Sequence, residues 1–436
     1  LPLVSPAQIP VPGRRRAPVI LLEVATLLSA TGNAIAGIVL PWLVLERTGS
    51  AAATGIVGAA SALPLLGSSL FSGTIVDVFG RRRSAVVADV LSALSVAAIP
   101  LVDAAMGLDV VSIAVLAAIG AVFDPPGMSG RESMLPSAAG EAGFRLDRVN
   151  GVHEAIWGAA FLVGPGLGGL LILWVGAAGA LWATAIGFVA SAAMTGLVRV
   201  PHADVTDGDR RLRALLRSTG EGLRFVWDDR LLRTLALFTM VLVGIYLPVE
   251  VIILPVHFEA LGRPAAFGFV ITAMGAGGVV GSLVYGAWGH RLPRRALFVG
   301  SLMATTFGLL LMSLLPPFPV LLVAGAMVGL AFGPVNPLAN LAMQARTPER
   351  LRGRVVGILT STQYTAGPLG FLLVGPLVGA FGVEEVFLAI GISIMVVASS
   401  AFVLPSLREL DDPALDAMAG HEGPEHPLEP PIHPAA

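Results

Sequence analysis

Residues 73–83 read Gly73-Thr-Ile-Val-Asp77-Val-Phe-Gly80-Arg81-Arg82-Arg83, and residues 286–295 read Gly286-Ala-Trp-Gly-His290-Arg291-Leu-Pro293-Arg294-Arg295. At one constant offset Gly73 falls on Gly286, and Arg81-Arg82 fall on Arg294-Arg295. The echo runs upstream, where Ile38-Val-Leu-Pro41 answers Ile252-Ile-Leu-Pro255 and Gly55 answers Gly268. It also runs downstream, from Gly120-Ala-Val-Phe123-Asp-Pro125 to Gly329-Leu-Ala-Phe332-Gly-Pro334 with a small slip in offset. Order is kept throughout, so the chain is a duplicated unit in parallel orientation.

Composition says where such a unit can live. Hydrophobic residues are 55% of the 436 and charged residues 13%, with a mean hydropathy of +0.82, whereas soluble domains carry about 25% charge. The run from Ala296 to Ala345 has no charged residue at all. That is room for two spans of about 20 residues each. All 27 basic residues are arginine and there is no cysteine, so thiol and disulfide chemistry are excluded. Ala17 to Leu45 is too long for the apolar core of a signal peptide and reads as a first retained span.

Apolar runs divide the chain into twelve spans, near 17–45, 51–76, 84–102, 110–130, 150–175, 177–199, 231–256, 264–288, 296–315, 320–345, 355–381 and 386–404. With no period-2 alternation, they are expected to be helices rather than barrel strands. The fold expected is an all-α membrane protein of 12 transmembrane helices in two parallel six-helix repeats, residues 17–200 and 231–405. Placing both termini in the cytoplasm leaves only Arg47 and Arg263 outside, as the positive-inside rule asks. Residues 1–16 form an N-terminal tail, 201–230 a cytoplasmic linker helix, and 406–436 a polar tail expected to be disordered. His421, His426 and His433 in that tail lack ligand spacing, so no metal site is expected.

The loop signature Gly73-x-x-x-Asp77-x-x-Gly80-Arg81-Arg82 resembles that of the major facilitator superfamily, whose 6+6 plan fits the whole membrane portion. That signature usually has arginine after the aspartate, where Val78 stands here; Arg131 or Arg83 is a candidate substitute. Gly164-Pro165-x-x-Gly168-Gly169, preceded by Gly151 and Ala160, is similar to the motif of drug-exporting antiporters. It also satisfies G-x-G-x-x-G, but no strand precedes it, so a dinucleotide site is excluded. Further segments resemble the macrolide-type drug exporter branch: Leu40-Pro41-Trp42, Thr48-Gly49-Ser50, Asp89, Arg131-Glu132-Ser-Met-Leu-Pro136, Leu351-Arg-Gly-Arg354, Gly367-Pro368-Leu369-Gly370 and Glu221-Gly-Leu-Arg-Phe-Val-Trp227. The resemblance implies proton-driven export of varied antibiotics, tetracycline and aminoglycosides among them, from the cytoplasmic (inner) membrane.

Coupling to protons needs acids inside the bundle, and the candidates are Glu23, Asp124, Glu154 and Glu250. Each could instead serve a structural ion pair, such as Glu154 with Arg131 or Arg148. Gating is expected of Gly73, Asp77, Gly80, Arg81, Arg82 and Arg131, with Asp77 as a latch between the halves, and of the bundle-closing face Gly164, Pro165, Gly168 and Gly169. Polar and aromatic residues near mid-membrane are candidate substrate contacts: Asn33, Trp157, Tyr246, Asn336, Asn340, Gln363 and Tyr364. No hydrolytic constellation is present, and a G-K-[ST] loop is impossible without lysine. The chain is therefore expected to be no enzyme and to need no cofactor beyond the proton gradient. Its expected partners are small-molecule drugs, protons and the lipid bilayer, with no nucleic acid, and it is expected to work as a monomer. Export of a siderophore or other metabolite, or solute symport, is the alternative.

Overall fold

Stretches this apolar must satisfy their backbone hydrogen bonds internally, and they do so as helices. The computed structural model describes residues 15–199 and 220–412, and every long regular element among them is helical. The first half comprises α1 (Ala17–Thr48), α2 (Ala51–Phe79), α3 (Arg81–Met106), α4 (Val110–Glu132), the short α5 (Leu135–Ala142) and α6 (Leu146–Leu197). The second comprises α7 (Arg230–Pro248), α8 (Leu254–Ala260), α9 (Pro264–Trp288), α10 (Arg294–Ser313), α11 (Phe318–Phe332), α12 (Val335–Arg346), α13 (Glu349–Phe381) and α14 (Val383–Ser400). Among the described residues, 10 helical stretches are long and apolar enough to cross a membrane. The chain is a multi-pass membrane protein.

α6 is 52 residues long, and Gly176 inside it has φ 74° and ψ 170°, a conformation that reverses the chain. The contacts with α1 show the reversal. Before Gly176, Gly164 lies against Ala34 and Gly168 against Ile38, so the two chains climb together. After it, Phe188 lies against Gly32 and the Ser191 hydroxyl oxygen lies 2.9 Å from the Ala25 carbonyl oxygen, so they run opposite ways. α13, 33 residues long, adds the apolar stretch Thr365–Phe381.

The two ends of the bundle differ in chemistry. One end is closed by short turns with positive φ at Gly49, Gly107, Gly176, Gly262, Leu315 and Gly382. There Asp109 caps α4, accepting from the Ser112 amide at 2.8 Å. The hydrogen bonds from the Ser112 side chain and amide hold its carboxyl below the ordinary carboxylate range. The other end carries Arg81–Arg83, Arg145, Arg148, Arg294, Arg295 and Arg346. These are called the turn end and the arginine end below.

The two halves meet along two seams, α2 against α13 and α6 against α9. Glycine allows both. A Cβ on Gly375 would stand 3.0 Å from the Ala52 Cα, and one on Gly169 would stand 2.5 Å from the Pro264 carbonyl oxygen. The residues concerned lie toward the turn end, and there the halves are sealed. Toward the arginine end Gly67, Gly73, Gly151, Gly158 and Gly286 have nothing within 4 Å of a Cβ position. The cleft opens that way.

Three boundaries differ from the expected ones. The span near 320–345 is broken at Gly333-Pro334 into α11 and α12. The span near 231–256 contains a π-helical turn, Val249–Ile253, between α7 and α8. Residues 406–412, expected to open a disordered tail, are instead held against the bundle, with Pro405–Asp411 forming a 3-10 helix. Leu407 and Leu410 are buried, and the Asp411 carboxylate accepts from the Arg295 amide at 3.0 Å. In the linker, residues 220–228 are helical. The rest of it, the N-terminal tail before Arg15 and the histidine-bearing tail lie outside the described residues.

Candidate functional site

Between α6 of the first half and α7, α9, α10 and α11 of the second lies a cavity of about 360 Å³. Its walls include Phe161, Phe238, Phe298 and Phe332, and Glu250 is the one carboxylate among its lining residues. The Tyr246 hydroxyl, one turn earlier, donates to Glu250 Oε1 at 2.5 Å. Sequence reasoning had paired these residues with different roles, proton carrier and substrate contact, and the structure joins them in one site. The π turn sets their geometry. The Leu254 amide reaches back to the Val249 carbonyl, and Pro255 has no amide to continue the α pattern. Such a turn rotates the residues it carries relative to a regular helix, and it recurs at functional sites.

The facing wall is built from α6. Positions 154, 158, 161 and 165 repeat every three or four residues, so they share one helical face. Phe161 and Pro165 line the cavity, while Glu154 is exposed two turns toward the arginine end. Glu154 therefore stands at the open cleft, without the Arg131 partner considered for it. Arg131 is committed elsewhere.

That commitment is a buried network. Arg131 Nη1 donates to both oxygens of Asp89, at 2.9 and 2.8 Å, and its Nη2 donates to the Ser29 hydroxyl at 2.9 Å. The Ser191 hydroxyl lies 2.6 Å from Asp89 Oδ2. One ion pair thus ties α1, α3, α4 and α6 together. Arg131 is thus held within the first half in this conformation. One turn farther from the arginine end, the Ser92 hydroxyl donates to Asp124 Oδ1 at 3.2 Å, and Asn33 of α1 faces the same carboxylate.

A second buried cluster lies nearer the arginine end. His153 of α6 has its Nδ1 3.2 Å from Glu23 Oε2 of α1, and the Trp157 indole N–H donates to its Nε2 at 3.2 Å. Glu132 Oε1 of α4 lies 3.9 Å from that same Nε2. Glu23 was expected from its sequence alone, and Trp157 was expected at the substrate. The sequence alone does not single out His153, Glu132 or Asp89 as acting residues. Asp89 and Glu132 had appeared only as parts of motifs, and His153 adjoins Glu154 without any spacing signal of its own.

The remaining expected residues are placed as follows. Gly73 and Arg82 are exposed, and Asp77, Gly80 and Arg81 half-buried, at the arginine end. The Arg81 carbonyl packs under Gly130 of α4, and Arg82 donates to the Val198 carbonyl at 3.1 Å. Gly164, Pro165, Gly168 and Gly169 are buried at the contacts with α1 and α9. In the same seam the Gly166 amide donates to the Thr272 hydroxyl at 3.0 Å, and that hydroxyl donates to the Leu162 carbonyl at 2.9 Å. Asn336 and Asn340 share an exposed face of α12 and are not among the cavity's lining residues. They fall outside because the Gly333-Pro334 break starts a new helix there. Gln363 and Tyr364 lie on α13, with side chains outside those described. Among the described residues no group of three or more His, Cys, Asp or Glu could hold a metal ion.

Residues 15–432 match the family model described as transmembrane secretion effector. The chain is 44% identical over 399 residues to the multidrug efflux pump Tap of Mycobacterium tuberculosis, covering 91% of this chain and 95% of that one. Macrolide efflux protein A of Streptococcus pyogenes is 23% identical over 397 residues, covering 87% and 94%. Among solved structures the fold matches the nucleoside transporter NupG with a TM-score of 0.71 at 13% identity, over 88% of this chain and 98% of that one. The exporter branch suggested by the motifs around Pro41, Arg131 and Gly367 is the branch these relatives occupy. The chain belongs to the transmembrane secretion effector family of the major facilitator superfamily.

Proposed function

We propose that the protein exports amphiphilic drugs, antibiotics such as tetracycline or aminoglycosides among them, in exchange for protons, by alternating access across the bacterial inner membrane. The observation that carries the reading is the cavity: phenylalanine walls and one carboxylate, with Glu154 exposed on the α6 face that carries the lining residues Phe161 and Pro165. Apolar walls with a few polar anchors suit solutes that are part apolar and part charged. The names of its relatives, multidrug and macrolide efflux proteins, favour the same class of cargo.

Counting α6 as two spans and adding α13 brings the spans to twelve, with both termini on the arginine side. By the positive-inside rule that side is the cytoplasm, so the conformation described is open inward and sealed outward. Residues 17–200 rock against 231–405 about the two glycine seams. Protonation of Glu250, and of acids nearer the open end such as Glu154, Asp124 and Glu23, exchanges with bound drug. The chain works as a monomer without a cofactor.

Inside-out vesicles test this directly. With an acid interior they accumulate tetracycline, and collapsing the pH gradient with nigericin stops accumulation. Uptake that continues unchanged after collapse overturns proton exchange, and absence of uptake for every drug of a broad panel overturns drug export.

A further inference from the structure

We propose that His153 is a proton-binding site, fed from Glu132 and read out at the cavity wall through Trp157 and Phe161. The inference deepens the coupling step of the exporter reading and rests on it.

The hydrogen bonds define two states of one ring. His153 is 5% exposed, wedged between α1 and α4. Its Nε2 accepts the Trp157 N–H, so in this state Nε2 carries a lone pair and the ring proton is on Nδ1, donated to Glu23. An incoming proton has one vacant nitrogen to occupy, Nε2. The nearest carboxylate to that nitrogen is Glu132, 3.9 Å away and with its side chain 45% exposed to the surroundings. Transfer breaks the O–H bond of protonated Glu132 and forms an N–H bond at Nε2. It leaves an imidazolium between the Glu132 and Glu23 carboxylates. Two N–H groups cannot share a hydrogen bond, so the Trp157 indole must let go.

What Trp157 does next matters to the cavity. Its ring stacks on Phe161 with centroids 5.7 Å apart and planes 16° apart, and Phe161 lines the cavity that Glu250 also lines. Residues 153, 157 and 161 follow one another at four-residue steps, so each sits one turn above the last. Protonation at the lowest of the three therefore frees the middle ring and disturbs the one facing the drug.

Two further facts fit a proton site. Glu23 Oε1 is buried with no hydrogen-bond partner among the described residues, which leaves that carboxylate acceptor capacity for a proton passed on. Of the ionisable groups on helices packed against α6, Glu23 of α1 and Glu132 of α4 face the ring. Asp89 of α3 and Arg131 of α4 are occupied with each other. Glu141 of α5 lies under the Arg15 amide, which donates to its carbonyl at 3.1 Å. α9 offers no acid or base except Tyr285, near its arginine end. On α6 itself Glu154 is exposed, Arg148 lies over the Phe144 ring, and Arg145 pairs with Asp147.

The test is ethidium binding to the full-length protein in nanodiscs, measured from pH 5.5 to 8.5 with no gradient, alongside intrinsic tryptophan emission without ethidium. Ethidium is a permanent cation, so its own charge does not titrate. Wild type should change its Kd by at least about fivefold across the range, the low end of site-to-site coupling, and its tryptophan emission should titrate in step. His153→Gln should still bind ethidium but with a shallower profile, keeping only the part set by the cavity acid Glu250. Trp157→Phe removes the bond that favours the unprotonated ring and should move the midpoint to higher pH. Glu132→Gln removes a carboxylate that favours the protonated ring and should move it to lower pH. A wild-type profile in His153→Gln, or the same direction of movement in the other two variants, overturns the proposal while leaving drug export standing. If ethidium binds no form, the tryptophan titration decides: its loss in His153→Gln and its movement to lower pH in Glu132→Gln support the proton site, and a titration unchanged by His153→Gln refutes it.

Discussion

Arg131 and Asp89 form a two-toothed ion pair in which each side chain is only 4% exposed, and two serines from other helices complete its hydrogen bonding. A pair of this kind is maintained by complete satisfaction of its partners, since an ion left alone in such a place is far costlier than the pair. Asp89→Asn and Arg131→Ala should each lower the unfolding temperature and the yield of folded protein sharply, at about 3–5 kcal/mol for the broken pair. Asp89→Leu with Arg131→Met should recover most of that loss, because no buried charge remains. Thermal unfolding of the four proteins in one detergent checks this, and an Arg131→Ala protein as stable as wild type would refute it.

Glu250 and Tyr246 should separate in their effects. Glu250→Gln removes the one carboxylate of the cavity lining and should lower export of a cationic drug at least about tenfold, the effect of losing roughly 1.4 kcal/mol or more of charge interaction. Tyr246→Phe removes one hydrogen bond and leaves the acid, so a loss of about two- to fivefold is expected. Efflux of ethidium from loaded cells lacking their own pumps measures both. Equal losses in the two variants would mean that the hydroxyl, not the carboxylate, does the recognition.

The helices and the duplication were legible because hydropathy and turn residues are local properties: the uncharged run from Ala296 to Ala345 and the repeated Gly-x-x-x-x-x-x-x-Arg-Arg turn carry them without help from packing. Intramembrane acids stood out for the same reason, since charge in an apolar run is rare. Partnerships were not legible. Whether Arg131 meets Asp89 or Glu154 depends on the rotation of α4 and α6 about their axes, which hydropathy does not encode. The face that Asn336 and Asn340 share is set by the break at Gly333-Pro334, which hydropathy does not mark. The π turn that carries Glu250 likewise shifts phase within a span that reads as one uniform helix.

The seam between α2 and α13 should behave as a gate. A Cβ at position 375 would stand 2.7 Å from the Ala51 carbonyl oxygen and 3.0 Å from the Ala52 Cα, backbone atoms that cannot swing aside, so a side chain there holds the seam apart. Gly375→Ala should therefore lower export, and Gly375→Val should abolish it. Ethidium efflux from loaded cells, normalised to the amount of protein in the membrane, checks both. Full export by Gly375→Val would mean that the halves need not meet closely along this seam.

Arg346 gathers three acids at the other end. Its guanidinium lies 2.9 Å from Glu409, 3.5 Å from Asp412 and 3.7 Å from Asp229, joining the end of α12 to the start of α7 and to the 3-10 helix after α14. Thr234 and Ser406 share a hydrogen bond at 2.8 Å in the same layer. These groups are partly exposed, so each ion pair is worth about 0–1 kcal/mol and is weakened by salt. Together they tie the arginine ends of the second half to one another. Arg346→Ala should therefore lower the unfolding temperature by only a few degrees, roughly what 1–2 kcal/mol gives in a domain of this size, and 1 M salt should erase most of the difference. A larger, salt-insensitive loss would show that Arg346 acts through buried packing and not as the centre of a surface ion cluster.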